Sequence, residues 1–138
     1  MFGSLIILWL VDGKIKKEQV LHALVAVFVS VAFAEVLRRL FPIERPYLLT
    51  GGIPLTFTVP HNGAFPSSHT ASAFALATTI WLHDRKVGWF YLVSALGVGI
   101  ARILANVHYP VDILGGMVLG MLTAFVVEKI HFKKVFGK

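Results

Sequence analysis

Residues 101–130 read ARILANVHYPVDILGGMVLGMLTAFVVEKI. Their second part, Ile113 to Ile130, is an apolar run about long enough to cross a bilayer as a helix. Ahead of it stands a turn built on Pro110 that carries Arg102, His108 and Asp112, and ahead of that turn lies a second apolar run, Val87 to Ala105. Two membrane helices joined by a short turn rich in ionisable groups is the reading that decides the fold class.

The rest of the chain is made of similar pieces. Two more runs, Gln19 to Leu40 and Ser67 to Leu82, are long enough or nearly so to span. His83 to Lys86 is a tight connection, and Asp12 to Glu18 is a polar one. Between Phe41 and Pro66, four prolines ahead of Pro66 and three glycines make a segment too punctuated for a helix and too polar to span, expected as an interfacial loop. Met1 to Val11 is apolar but lacks the basic leader and small-residue cleavage site of a signal peptide. It reads as part of a further membrane helix, although eleven helical residues rise only about 16 Å against a hydrocarbon core of about 30 Å.

Composition agrees. The 138 residues are 57% hydrophobic and only 14% charged, too apolar for an ordinary soluble core. The expectation is an all-α integral membrane helical bundle of about five membrane segments, one domain over residues 1–138 with a short first span that an N-terminal truncation would explain. Gly116 and Gly120 form a GxxxG step, and Ser72, Ala73, Ala75 and Ala77 crowd the third span, as suits close helix packing in lipid. The net charge of +6 falls between apolar runs, which marks membrane-facing loops rather than nucleic-acid binding. With no cysteine, disulfides and thiolate metal sites are excluded.

Threading the chain alternately through a bilayer places Lys14, Lys16, Lys17, Arg85, Lys86, Lys129, Lys133, Lys134 and Lys138 on one side, and Arg38, Arg39, Arg45 and Arg102 on the other. The first side is cytoplasmic by the positive-inside rule. The C-terminus is then cytoplasmic and the N-terminus outside, as if a preceding span were absent.

Three polar clusters share the extracytoplasmic side, with no comparable cluster expected opposite. Arg38, Arg39, Arg45 and Pro46 flank the end of the Gln19 to Leu40 run; arginine's fork suits phosphate oxygens, and equally these arginines can anchor a helix end at lipid headgroups. Glu35 is placed to pair with Arg38 or Arg39. Pro66-Ser67-Ser68-His69 precedes the third run. Ser67 suits an N-cap whose first-turn N–H groups face an anion, and His69 can protonate a departing oxygen; the alternative is a plain helix start with a surface histidine. In the third cluster, Asp112 can accept one ring N–H of His108 and leave the other nitrogen as a nucleophile, while Arg102 neutralises phosphoryl oxygens. Alternatively, Asp112 caps a helix beside an interfacial histidine.

In order and spacing the clusters read Arg38-x6-Arg45-Pro46, Pro66-Ser67-Ser68-His69 and Ala101-Arg102-x5-His108-x3-Asp112. They resemble the signature of the type 2 phosphatidic acid phosphatase superfamily, K-x6-R-P, P-S-G-H and S-R-x5-H-x3-D, over most of the chain from Gln19 onward. The resemblance implies a phosphatase and haloperoxidase-like helical core. It also implies that His108 attacks phosphorus to form a phosphohistidine, that Asp112 orients it, that His69 protonates the leaving oxygen, and that Arg38, Arg45, Arg102, Ser67 and the Ser68 backbone hold the phosphate. No metal or other cofactor is implied. Arg38, Ser68 and Ala101 depart from the lysine, glycine and serine of the signature, which bears on specificity rather than on the reaction.

The implied substrate is a lipid phosphate or diphosphate in a prokaryotic plasma membrane. The His-Tyr-Pro-Val-Asp turn and short chain look most like bacterial undecaprenyl-diphosphate phosphatases, with phosphatidylglycerophosphate or phosphatidic acid phosphatases as alternatives. Vanadium haloperoxidases share the pocket but are soluble and longer. A small channel or transporter would continue its polar residues across the bilayer, and an inactive scaffold would not require His69, His108 and Asp112 together.

Overall fold

The computed structural model describes residues 16–56 and 63–130. Among them are five helices and no strand: α1 Lys16–Leu40, α2 Pro46–Thr50, α3 Ser68–His83, α4 Arg85–Leu104 and α5 Pro110–Glu128. The four long helices coincide with the four apolar runs to within three residues at each end. Met1 to Val11, expected as part of a fifth segment, lies outside the described residues.

One expectation is corrected. The segment Phe41 to Pro66, read as too punctuated for any helix, contains α2. The punctuation itself makes this helix: Pro46 sits in the first turn, where its missing N–H costs nothing, and Gly51 closes it in the left-handed region at φ 67°.

The bundle is arranged around α3, which packs against α1, α4 and α5. Ala71, Ala73, Ala75 and Ala77, with Thr70, Thr78 and Thr79, are buried on it. Small side chains on every face are what allow three helices to close on a fourth. The GxxxG step of α5 lies against α3, where a Cβ on Gly116 would come within 2.6 Å of the Ser67 carbonyl oxygen and one on Gly120 within 2.3 Å of the Ala71 carbonyl oxygen. Toward the other side, Phe74, Leu76 and Ile80 of α3 pack with Tyr91 and Ala95 of α4 and Ala23 of α1.

Bulky apolar side chains are turned outward instead. Phe28 of α1 is 76% exposed and Phe90 of α4 73%, joined by Leu114, Leu122 and Val126 of α5. An exterior more apolar than the interior suits lipid and not water. Gln19–Leu40, Arg85–Leu104 and Pro110–Glu128 are long and apolar enough to cross a membrane. At 16 residues α3 rises only about 24 Å, and it is the helix the others enclose.

Asp84 makes the α3–α4 hairpin tight. Its backbone N–H closes α3 on the Ile80 carbonyl, and its carboxylate accepts from the N–H groups of Lys86 and Val87 to open α4. Because the long helices alternate in direction, the C-terminal ends of α1 and α4 and the N-terminal ends of α3 and α5 share one end of the bundle. The loop containing α2 is tied down there. Tyr47 N–H donates to the Asn106 carbonyl at 3.2 Å and Leu55 N–H to the Ala105 carbonyl at 3.1 Å.

Candidate active site

The ends of these helices carry the three clusters to the same place. At its centre is Arg45, just before α2 and only 2% exposed. Its guanidinium donates to the Val107 carbonyl at 2.9 Å and the Gly63 carbonyl at 3.1 Å, and lies 3.3 Å from Nε2 of His108. Guanidinium can only donate, so the Nε2 facing it must be unprotonated. The proton of the neutral ring is then on Nδ1, which lies 3.4 Å from Oδ2 of Asp112.

Local structure explains why His108 can be placed this way. Asn106 takes the left-handed conformation at φ 59°, a residue type that tolerates it, and the chain turns sharply out of α4. Val107 is fully buried, His108 follows, and Pro110 starts α5 two residues ahead of Asp112, in the same first turn. The Asp112 carboxylate accepts the Tyr109 N–H at 2.7 Å while it faces the imidazole. Helix capping and histidine orientation, alternatives in the sequence, are therefore compatible in one side chain. Burial pushes the His108 pKa below its ordinary value, and although Asp112 pulls the other way the net direction is down. Burial likewise lowers that of Arg45, with Arg38 adding to the effect.

Ser67 is the N-cap of α3, as its sequence position predicts. It is fully buried, its own N–H donates to the Asp112 carbonyl at 3.0 Å, and its hydroxyl oxygen accepts from Thr70 N–H at 3.4 Å and Thr70 Oγ1 at 3.1 Å. Both acceptor positions of that oxygen are used, which leaves its O–H to donate elsewhere. Ser68 is the first residue of the helix, and His69 beside it is exposed. His69 is within electrostatic reach of Arg38, Arg45, Arg102 and His108.

Arg38 is 9% exposed and is held by Glu35 at 2.7 Å, with Arg39 on the other carboxylate oxygen at 3.4 Å. The sequence anticipates one such pair; both form. Arg39 is 79% exposed and points away from the cluster's interior. The Nε groups of Arg38 and Arg102 are buried with no hydrogen-bond partner among the described residues. Buried donors of this kind suit an anion, and they offer nothing to a cation. Thr70, which fixes the Ser67 hydroxyl, was not singled out by its sequence position; its one available signal is the three-residue spacing from the N-cap.

Comparison with known proteins fits this geometry. Residues 19–136 match the PAP2 superfamily. The chain is 32% identical over 124 residues to the bacitracin transport permease protein BcrC of Bacillus licheniformis, covering 90% of this chain and 61% of that protein. It is 28% identical over 124 residues to the undecaprenyl-diphosphatase BcrC of Bacillus subtilis strain 168, covering 88% and 63%. It thus spans less than two thirds of the length of both. In three dimensions it matches the crystal structure of Aquifex aeolicus LpxE with a TM-score of 0.73 and 30% identity, over 93% of this chain and 75% of that one. A match over nearly all of the sequence after the first eighteen residues, on an all-helical membrane bundle, settles the kinship: this chain belongs to the PAP2 superfamily.

Proposed function

We propose that this protein hydrolyses a phosphate from a membrane lipid phosphate or diphosphate through a phosphohistidine on His108, with undecaprenyl diphosphate as the preferred substrate. The observation that carries the reading is the His108 ring, set between Asp112 on Nδ1 and the Arg45 guanidinium on Nε2. The lone pair is on the nitrogen that faces the basic cluster.

In the proposed reaction the phosphate enters among Arg38, Arg45, Arg102, the Ser67 hydroxyl and the Ser68 N–H. Its oxygens draw Arg45 off Nε2 and free the lone pair. Nε2 attacks phosphorus, the bond from phosphorus to the leaving oxygen breaks, and His69 gives that oxygen a proton. A water then attacks the phosphohistidine, His69 takes a proton from it, the P–N bond breaks, and inorganic phosphate leaves. The guanidiniums spread the charge of a transition state that is governed mainly by positioning and electrostatics. In this scheme the binding, nucleophilic and proton-transfer roles are all filled by groups of the protein, and no step calls on a metal. The substrate preference is supported by the undecaprenyl-diphosphatase name of the Bacillus subtilis relative.

The name of the other Bacillus relative, a transport permease, favours a second reading in which solute passes through the bundle. Against it, the hydroxyls of Ser30, Thr79 and Thr123, buried along the helices, are each engaged by a carbonyl of their own helix.

The test is phosphate release at 25 °C from undecaprenyl diphosphate by detergent-purified protein in excess EDTA, with His108→Ala alongside. The parent is expected to turn over and the variant to lose at least about 10³-fold. A folded His108→Ala that keeps its rate removes the nucleophile from this scheme.

A further inference from the structure

At the end of the bundle opposite His108, the structure corrects the expectation that no comparable polar cluster lies there. His22 on α1, His83 on α3 and Glu128 on α5 converge, each offering one ligand atom with no two more than 4.8 Å apart. His22 Nδ1 is 3.4 Å from Glu128 Oε2, and His83 Nε2 is 3.5 Å from Glu128 Oε1. Ligand atoms on a tetrahedral zinc ion stand about 3.3 Å apart at ordinary bond lengths; the two contacts use different oxygens of Glu128, and a set that takes one atom from each residue, within 4.8 Å, closes on the ion as it binds.

The far side of each ring fixes which nitrogen faces inward. His22 Nε2 is 3.1 Å from the Ile130 carbonyl, and His83 Nδ1 is 2.9 Å from the Thr79 carbonyl. Carbonyls only accept, so both outer nitrogens carry the proton. In the neutral rings, His22 Nδ1 and His83 Nε2 then present lone pairs toward the same carboxylate. Three electron-rich atoms face one another, an arrangement that repels unless a cation or a proton sits among them. A backbone carbonyl that holds the outer N–H of a histidine is also the usual second layer of a metal site.

We propose that His22, His83 and Glu128 bind a divalent transition-metal ion of the zinc type, which clasps α1, α3 and α5 at the end of the bundle away from the phosphatase site. Two imidazoles and one carboxylate suit borderline ions over calcium or magnesium. His22 is 4% exposed, whereas the Glu128 side chain is 33% exposed, which gives the ion an entry path and a water as its fourth ligand. The same three helices carry Arg38, Ser67, His69 and Asp112 at or beside their other ends. This role is structural and independent of the phosphatase reading.

The experiment uses untagged protein in detergent, stripped with EDTA and dialysed, then titrated with zinc chloride by calorimetry and thermal unfolding. One ion per chain is expected, with a rise in Tm of about 5 °C at saturation. Glu128→Gln and His83→Gln are expected to weaken binding at least by the roughly 10–100-fold that loss of an outer-layer partner costs. His69→Gln, at the other end, is expected to keep the Tm rise. Should either clasp variant not fold, cobalt(II) added to the parent reads the ligand set directly, with intense visible bands expected for a tetrahedral nitrogen and oxygen site. Absence of saturable zinc binding, absence of those bands, or affinity unchanged in both variants overturns the proposal. So does a Tm that moves between pH 5 and 8 but not with zinc, which assigns the cluster to a shared proton.

Discussion

His108 Nε2 lies 3.3 Å from the Arg45 guanidinium and Nδ1 lies 3.4 Å from Asp112, and these two contacts together make the ring a candidate nucleophile. Burial lowers the pKa of His108 while Asp112 raises it, and burial prevails. A reaction that needs the neutral ring is at full rate above that pKa and falls as the pH drops through it. The acid limb of kcat/KM is therefore expected below 6.5, the ordinary histidine value. Asp112→Asn removes the raising influence, so its acid limb is expected still lower in pH. Its rate is expected to fall about 10³–10⁴-fold, because the Nδ1–H partner that selects the tautomer is gone. A pH–rate profile of parent and variant between pH 4 and 8 checks both statements, and an acid limb displaced upward in Asp112→Asn contradicts the assignment.

Among the helices, α3 is the element on which the others depend, and its alanines make sense only beside the glycines of α5. At Gly120 a Cβ would lie 2.3 Å from the Ala71 carbonyl oxygen and 2.8 Å from the Ala75 nitrogen, atoms of a helix backbone that cannot turn aside. Gly120→Ala is expected to force α3 and α5 apart and destabilise the fold by about 1–3 kcal/mol. Gly97 on α4 has nothing within 4 Å of its added Cβ, so Gly97→Ala is expected to be neutral or to stabilise by up to about 1 kcal/mol through helix propensity alone. Thermal unfolding of the two variants in one detergent compares them. Equal losses would mean that composition, not the α3–α5 contact, sets the sensitivity.

For the molecule as a whole, the alternation of helix directions places Arg38, Arg45 and Arg102 at one end and Arg85, Lys86 and Lys129 at the other. The positive-inside rule predicts that the first end faces out of the cell, and on the proposed reaction a lipid phosphate would then reach His69 and His108 from the outer leaflet. The cysteine-free chain makes this testable. Leu55→Cys, 74% exposed at the site end, is expected to react with a membrane-impermeant maleimide in intact cells. Lys86→Cys, exposed in the first turn of α4, is expected to react only after permeabilisation. The reverse pattern turns the site toward the cytoplasm.

The four long helices, the end of the bundle that each motif occupies, and Ser67 as the N-cap of α3 are all legible in the order of residues alone. These are local properties: run length, hydropathy and capping chemistry act one helix at a time, and alternate threading fixes which ends meet. Tertiary structure decided what depends on helix rotation and on chain segments far apart. Arg45 reaches the Val107 carbonyl and His108 across most of the middle of the chain. Pro46 and Gly51, read as breakers, define α2 because its loop is tied to Ala105 and Asn106. His22, His83 and Glu128 show no motif, since each lies near the end of a different helix, far from the other two in sequence. Only the packing of α1, α3 and α5, governed by small residues at their contacts, turns the three toward one point.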